Sequence, residues 1–263
     1  MSRTTPRIPL QPFLGFQLVA LTTTRFRELV VARARARATP FAIGYLNAAQ
    51  VNLAFANAEH ARRLAELHAL YADGQAIVWA SRWLKRPVPE RINAGDFTRE
   101  LIADCARAGL KLALIGGRPG AEGTPAEVDR AAARFRQWEP ELRLVLTHHG
   151  YLSPDDARAV RTKIEAADPD LVMLGMGAPR QEALAARWAA EGRPRVWWCV
   201  GALFEYYAGT RRRAPRWMRR AGLEWLVRLA LEPRRLFRRY VIGNPLFVLR
   251  VLRRRPPAYR ANR

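Results

Sequence analysis

Short apolar runs alternate with amphipathic segments along most of the chain. The apolar runs predict strands at 41–45, 112–115, 142–147, 170–174 and 196–200. Between them, helical periodicity predicts helices at 48–71, 77–84, 96–108, 125–138, 154–167 and 179–190. Strands that alternate with helices are typical of βαβ units. The pattern therefore predicts an α/β fold with a Rossmann-like parallel sheet and helices on both faces.

The pattern changes after Gly209. Arginine-dense helical segments follow at about 222–231 and 234–241, and then an apolar run at 245–252. No strand pattern interrupts these segments. We therefore predict an α/β body at 1–209 and a C-terminal arginine-rich helical appendage at 210–263.

Charge is concentrated in this appendage. The chain carries a net charge of +22, and the 53 residues from Arg211 onward hold 17 arginines and two glutamates. A local positive surface of this kind fits the phosphates of a nucleic acid, an anionic membrane, or simply a solvated arginine-rich face. Aromatic residues interleaved with the arginines, among them Trp217, Trp225 and Phe237, favour a membrane surface.

Other features limit the class of protein. Cys105 and Cys199 have neither disulfide-framework nor metal-type spacing, and no His, Cys and Asp cluster is spaced for a metal. The N-terminus lacks a signal-peptide pattern, and no uncharged apolar run reaches the roughly 18 to 20 residues needed to span a bilayer. We expect a cytoplasmic protein, without a metal or another cofactor, that associates peripherally with a membrane.

Four predicted strands end in loops that contain glycine. These loops hold Gly116 and Gly117, then Gly150 and Tyr151, then the stretch from Gly175 through Gly177, Pro179, Gln181 and Glu182, and finally Gly201 to Glu205. Ligands of parallel sheets bind at the carboxyl ends of strands, where glycine lets a nucleotide approach the backbone. A glycine after a strand is more often only a tight turn, but four such ends favour a nucleotide site. Gln181 could contact a base or ribose, whereas Glu182 could simply satisfy a helix N-terminus.

Two polar residues outside these loops are candidates for chemistry. Asp73 precedes Gly74 and an apolar helix, so it either caps that helix or lies in a cleft as a carboxylate that accepts a proton. Asn47 stands where a strand gives way to a helix, so its amide either binds a sugar or only caps.

Many segments of the chain match one family in order. They are Asn47, Asp73-Gly74, Trp79-Ala80-Ser81, Glu90-Arg91, Gly95-Asp96, Gly116-Gly117, His149-Gly150-Tyr151, Pro169-Asp170, Gly175-Met176-Gly177, Pro179-Arg180-Gln181-Glu182, Gly201, Phe204, Ala208-Gly209, Arg213-Ala214-Pro215-Arg216-Trp217, Gly222-Leu223-Glu224-Trp225-Leu226, Arg228, Glu232-Pro233 and Arg238-Arg239-Tyr240. With these segments the chain resembles the bacterial WecG/TagA/CpsF glycosyltransferases, which include the N-acetylmannosaminyltransferases. The resemblance covers about residues 40 to 247.

The resemblance implies an inverting, metal-independent transfer of a hexose, such as N-acetylmannosamine, from a UDP-sugar to a polyprenyl-pyrophosphate-linked saccharide. It makes Asp73 the candidate general base and Asn47 a second catalytic candidate. It assigns Arg213 and Arg228 to the pyrophosphate leaving group. The glycine loops, Arg91 and Glu205 would bind the substrates. Because departing UDP carries negative charge and the sequence suggests no metal site, arginines are the available cations.

The chain departs from the family pattern at two positions. Tyr45 stands where the family usually has threonine, in a pocket expected to meet the donor or acceptor saccharide. Glu205 stands where aspartate is common, which keeps the carboxylate but lengthens its side chain by one methylene. Two other classes remain open from the residues alone, a Rossmann-type NAD oxidoreductase and a nucleic-acid-binding protein, although neither a dinucleotide fingerprint nor a nucleic-acid motif is present. The sequence also leaves open whether the chain forms a homo-oligomer.

Overall fold

The computed structural model describes residues 8–254, 256 and 257, without the side chains of Arg216 and Arg220. In chain order its strands are β1 (Leu10–Phe13), β2 (Phe16–Val19), β3 (Phe41–Leu46), β4 (Ala69–Ala72), β5 (Lys111–Gly116), β6 (Arg143–His148), β7 (Leu171–Gly175) and β8 (Val196–Cys199). Its helices are α1 (Thr23–Ala36), α2 (Ala48–Ala56), α3 (Ala58–Glu66), α4 (Gln75–Trp83), α5 (Ala94–Arg107), α6 (Glu127–Trp138), α7 (Pro154–Ala167), α8 (Arg180–Glu191), α9 (Leu203–Tyr207), α10 (Arg216–Arg220), α11 (Glu224–Leu231), α12 (Pro233–Phe237) and α13 (Gly243–Arg253). A π-helical turn at Arg238–Ile242 joins the last two helices.

These elements pack as two compact units, each built from separate segments of the chain. The first unit contains residues 23–44 and 94–211, and the second contains 8–22, 45–93 and the residues from 212 onward. The arginine-rich segment therefore packs with 45–93 rather than standing apart. The sequence also predicts a catalytic function for 1–209 and membrane association for 210–263. These two functions stay predictions.

The first unit is built on five parallel strands in the order β3-β8-β7-β5-β6. The three inner strands of this group have almost continuous apolar sequences, and nearly all their residues are buried, as expected for strands covered on both faces. Aromatic rings fill the core beside β8, where Phe97 stacks on Trp198 with centroids 5.7 Å apart. The strands end together in register, since Gly116 of β5 lies beside Gly175 of β7.

The second unit contains the remaining strands and the C-terminal helices. An antiparallel hairpin of β1 and β2 turns through Leu14 and Gly15, which both have positive φ, and β2 then runs parallel to β4. Helix α13 packs on α2 and buries Phe247 and Val251. Polar contacts add to this packing, because the side chain of Asn52 donates to the Gly243 carbonyl over 2.6 Å.

The structure confirms the predicted α/β class, with mostly parallel strands and many helices. Each of the five predicted strands is present within one or two residues of its predicted bounds. The predicted helix at 48–71 is wrong in its second half. It is divided at Asn57, whose side chain caps α3 by accepting from the His60 amide over 3.0 Å, and it ends before the buried strand β4.

Candidate functional site

The second unit contains a cavity of about 630 Å³. Its polar wall is formed by the ends of β3 and β4, the loop after α4, and the arginine-rich helices. Its apolar wall carries large aromatic and aliphatic side chains from α4, α11 and α13. The polar lining includes Asn47, Asp73, Arg91, Asn93, Arg219, Glu224, Arg228 and Arg239, and the apolar lining includes Trp79, Trp83, Trp225, Phe247, Val248, Val251 and Leu252.

Asp73 lies in this cavity directly after β4. Its amide donates to the Leu46 carbonyl over 2.8 Å, which fixes the end of β4 against the end of β3. Helix α4 begins after Gly74, which has a φ of +130° and no side-chain cap. Asp73 therefore does not cap the helix, and the capping interpretation is wrong. Its carboxylate accepts from Asn93 Nδ2 over 2.6 Å instead.

The two carboxylates of the cavity have pKa values displaced in opposite directions. Burial raises the pKa of Asp73 above its ordinary value, against the hydrogen bond from Asn93 and the charge of Arg91. For Glu224, burial also acts to raise the pKa, but Arg228 and other cations outweigh it and the pKa is lowered. A carboxylate whose pKa is raised is suited to accept a proton, whereas Glu224 stays ionised as a fixed charge.

Asn47 combines the two roles that the sequence allowed. Its Oδ1 accepts from the Gln50 amide over 3.0 Å and so caps α2. The residue also lines the cavity near Gly74. Contact with a sugar stays a prediction. Tyr45, two residues earlier, packs its ring against Tyr71 with centroids 5.9 Å apart.

The predicted arginines occupy different positions in the second unit. Arg91 and Arg228 line the cavity, and Arg228 Nη2 donates to Glu224 Oε1 over 2.6 Å. Arg213 donates instead to the side chain of Asn93, over 3.0 Å. Their predicted roles at a pyrophosphate stay predictions, but the geometry ties Arg213 to the residue that holds Asp73.

In the first unit, the predicted glycines form closely packed loops at the carboxyl ends of β5, β6 and β7. A Cβ at position 116 would lie 2.3 Å from the Gly175 carbonyl oxygen, and one at Gly150 would lie 2.9 Å from Gly116 Cα. The Gly117 amide donates to the same Gly175 carbonyl over 3.0 Å. Only glycine fits here without a shift of the backbone, and Gly116, Gly117, Gly150 and Gly175 are all buried at this end of the strands.

We expect Gly116→Ala to lower the free energy of unfolding by about 3 kcal/mol, because the new Cβ collides with backbone and Gly116 has a φ of +158°. Gly109→Ala is the matched control, since its φ is +65° but nothing lies within 4 Å of a Cβ there. That control should cost about 1 kcal/mol, from backbone strain alone. Urea unfolding of both variants measures the difference, and equal losses would contradict the packing explanation.

Gln181 and Glu182 are fully buried in the first turn of α8, and they do not present exposed side chains at this edge. Gln181 Oε1 accepts from the Gly201 amide over 3.0 Å, and its Nε2 donates to Glu182 over 2.7 Å. They thus support the loop after β8. Direct contact with a base or ribose stays a prediction for them, as it does for Gly177 and Pro179 just before the helix.

The other predicted binding residues of the first unit are more open. Tyr151 is exposed, with 56% of its surface accessible. The carboxylate of Glu205 pairs with Arg211 over 2.9 Å.

Asp168 and Asp170 form a D-x-D sequence, but they lie at the amino end of β7 and both pair with Arg37. Among the residues that the structure describes, no three His, Cys, Asp or Glu side chains are grouped as they would be around a metal ion.

Sequence reasoning missed Asn93, which lies between Asp73 and Arg213, and the role of Glu224 as partner of Arg228. Asn93 follows Arg91 in a loop without helical or strand periodicity, so no local pattern marks it. Glu224 carried a signal, as one of only two acids among 17 arginines in the appendage.

The sequence was also compared with models of known protein families. The model described as the glycosyl transferase WecG/TagA/CpsF family matches residues 11–261. The match therefore includes both compact units, and it covers the cavity together with the glycine loops.

Proposed function

The chain belongs to the WecG/TagA/CpsF family of glycosyltransferases, which act in cell-surface polysaccharide synthesis, and from that premise we propose the following reaction. The enzyme transfers a hexose, such as N-acetylmannosamine, from a UDP-sugar to a polyprenyl-pyrophosphate-linked saccharide. The transfer inverts the anomeric centre and uses no metal or other cofactor. The protein works on the inner face of the bacterial cytoplasmic membrane.

The observation that carries this proposal is the carboxylate of Asp73 in the cavity. In the proposed step, an acceptor hydroxyl attacks the anomeric carbon from the face opposite UDP. Asp73 takes the proton of that hydroxyl while the bond from carbon to the UDP oxygen breaks, and UDP leaves with the electron pair. A raised pKa suits this role, because the base must accept a proton near neutral pH.

Arginines of the same cavity supply the charge that a departing pyrophosphate needs. Arg91 and Arg228 both line the cavity, and Glu224 holds the Arg228 guanidinium in place. Guanidinium groups bind phosphate oxygens in a bidentate manner and are already oriented before the reaction, so they stabilise the developing charge. The glycine loops at Gly116, Gly117, Gly150, Gly175 and Gly177 are proposed to hold the UDP.

The apolar wall of the cavity supports a lipid-linked acceptor. Trp79 and Trp83 lie one turn apart on α4, and they are 57% and 60% exposed. Val248 and Leu252 of α13 are each 53% exposed in the same cavity. A saccharide with an isoprenoid tail offers a polar part for Asp73 and the arginines, and an apolar part for these side chains.

We expect Trp83→Ala to raise the KM for a long-chain polyprenyl acceptor about tenfold, which corresponds to roughly 1.4 kcal/mol of lost apolar contact. The kcat should stay close to that of the wild type, because Trp83 does not contact reacting groups. An acceptor with a short, water-soluble tail serves as the matched control and should show no change in KM. An equal effect on both acceptors would contradict a lipid site at this wall.

Two experiments test the sugar donor and the proposed class of enzyme. We expect transfer with at least one member of a panel of UDP-sugars when a polyprenyl-linked saccharide is the acceptor, and we expect this transfer to persist in EDTA. Binding of UDP, NADH and a DNA duplex, measured side by side, separates the transferase from the two other classes that the sequence left open. Tight DNA binding without affinity for UDP would contradict the proposal.

We also propose that the arginine-rich segment attaches the protein to an anionic membrane surface. Exposed apolar side chains alternate there with arginines, among them Phe237, Val241, Ile242 and Leu249. Within the described part of the chain, no helix has both the length and the hydropathy needed to cross a bilayer.

A further inference from the structure

Two side-chain hydrogen bonds connect Arg213 to Asp73 through Asn93. Arg213 Nη2 donates to Asn93 Oδ1 over 3.0 Å, and Asn93 Nδ2 donates to Asp73 Oδ1 over 2.6 Å. The neighbouring backbone is also fixed, because the Ile92 amide donates to the Ala72 carbonyl over 2.9 Å. The amide of Asn93 is therefore held against the end of β4 by main chain and side chain together.

Arg213 and Asp73 together favour one orientation of this amide. A guanidinium group can only donate hydrogen bonds, and an ionised carboxylate can only accept them. An amide between the two must therefore present its oxygen to Arg213 and its nitrogen to Asp73. The reversed amide would bring two donors together on one side and two acceptors on the other.

Other charged groups also act on Asp73. Arg91, from the loop after α4, and Arg228, from α11, favour its ionised form, whereas Glu224 of α11 opposes it. Arg213 favours the ionised form of Glu224 by its charge, and it also donates a hydrogen bond to Asn93, the residue that contacts Asp73. The backbone next to Arg213 has a hydrogen bond of its own, since the Ala214 carbonyl accepts from Arg219 Nε over 3.1 Å.

Given the proposed role of Asp73 as the base, we infer that Asn93 and Arg213 are positioning residues for it. Arg213 orients the Asn93 amide, and this amide holds Oδ1 of Asp73 so that Oδ2 accepts the proton of the acceptor hydroxyl. Arg213 thus acts through Asn93, whereas the family resemblance assigns it to the leaving group.

Titration of Asp73 tests this arrangement without any measurement of transfer. The full chain is labelled with ¹³C at the aspartate carboxyl carbons, and Asp73→Asn identifies the resonance. Because Asn93 donates to the ionised carboxylate, Asn93→Ala should move the titration of Asp73 to higher pH. Arg213→Met should move it in the same direction, since the amide then loses one of the two groups that keep its donor on Asp73.

The double variant separates an effect through Asn93 from a direct effect of charge. If Arg213 acts through Asn93, the titration in Asn93→Ala with Arg213→Met lies where it does in Asn93→Ala alone. A further shift in the double variant would overturn the role given to Arg213. An unchanged titration in Asn93→Ala would overturn the role of Asn93.

Asn57→Ala is the matched control. It removes the cap of α3 in the same unit and so perturbs stability, but it should leave the titration of Asp73 in place. If Asn93→Ala does not fold, Asn93→Ser gives the same test, because its side chain is too short to bridge to both partners.

Kinetics give a second measurement. Asn93→Ala should lower kcat roughly 10- to 100-fold, the effect of losing one hydrogen bond to a charged group. It should also move the acidic limb of the pH–rate profile to higher pH and leave the KM for the UDP-sugar unchanged. In Arg213→Met, a raised KM for the UDP-sugar without a shift of the acidic limb would contradict the positioning role. It would indicate instead that Arg213 binds the pyrophosphate of the leaving group. If the wild type transfers no sugar but the titrations shift as expected, the proposed function fails and the positioning roles stand.

Discussion

Asp73→Asn is expected to reduce sugar transfer by roughly 10²- to 10⁴-fold, the contribution typical of a general base. Asparagine has nearly the same shape as aspartate but cannot accept the proton of an acceptor hydroxyl. The amide oxygen of the new side chain can still accept from Asn93 Nδ2, so the local geometry should be preserved. Transfer is measured with a radiolabelled UDP-sugar and the polyprenyl-linked acceptor.

This loss should occur without loss of stability. Burial raises the pKa of Asp73 in the folded protein, so the folded state holds this proton more tightly than the unfolded chain does. The contribution of Asp73 to stability is therefore fully present below the pKa of the unfolded chain and is lost as pH rises through the folded pKa. At neutral pH the ionised group destabilises the protein, and Asp73→Asn should unfold at the same temperature as the wild type or at a higher one.

Two controls make the result specific. Binding of UDP to Asp73→Asn, measured by calorimetry, should stay close to that of the wild type, because Asp73 is proposed to contact the acceptor hydroxyl and not the UDP. Asp155→Asn changes a solvent-exposed aspartate of α7 in the same way and should leave transfer unchanged. Near-normal turnover in Asp73→Asn would remove this residue from the role of base.

Periodicity predicted the fold most successfully where strands are continuously apolar and end at or just before a glycine. β5, β7 and β8 are such strands, and their sequences allow few other structures. β4 was missed because its four buried residues, Ala69 to Ala72, have no pattern that separates a short buried strand from the end of a helix. The hairpin of β1 and β2 was missed because its turn, Leu14-Gly15, lacks the usual asparagine or aspartate before glycine.

The candidate site shows a similar limit. Asp73 and Asn47 could be singled out because each stands at the start of a predicted helix, where a polar side chain has few structural roles. Asn93 could not, because its importance depends on contacts with Asp73, 20 positions before it, and Arg213, 120 positions after it. Such contacts are formed by the tertiary fold, and no local pattern records them.

The arginine-rich segment gives the second large expected effect. Arg234, Arg238 and Arg253 have exposed side chains near the apolar surface of α12 and α13. Each basic residue near an anionic leaflet contributes about 1 kcal/mol. Replacing all three with glutamine should therefore weaken binding to vesicles with anionic lipid roughly 100-fold. Sedimentation with vesicles of phosphatidylglycerol and phosphatidylcholine measures this change.

The apolar residues of this surface should act separately from the charges. Phe237 and Ile242 are 52% and 53% exposed, so replacing both with serine should leave the fold intact. The serine variant should lose affinity at both low and high salt. The affinity supplied by arginine should fall with salt for the wild type, because screening shortens the Debye length from about 10 Å at 0.1 M to about 3 Å at 1 M.

Point substitutions test membrane attachment better than removal of everything after Gly209. Truncation there would remove Leu236, Phe247 and Val251, which are buried in the second unit, and would leave α2 without the apolar cover of α13. The matched control replaces three exposed arginines of α6, namely Arg130, Arg134 and Arg136, with glutamine and so makes the same change in net charge. If attachment depends on the local surface, this control sediments like the wild type. If it loses as much affinity as the test variant, attachment reflects only the total charge of the chain, and the proposed membrane surface is wrong.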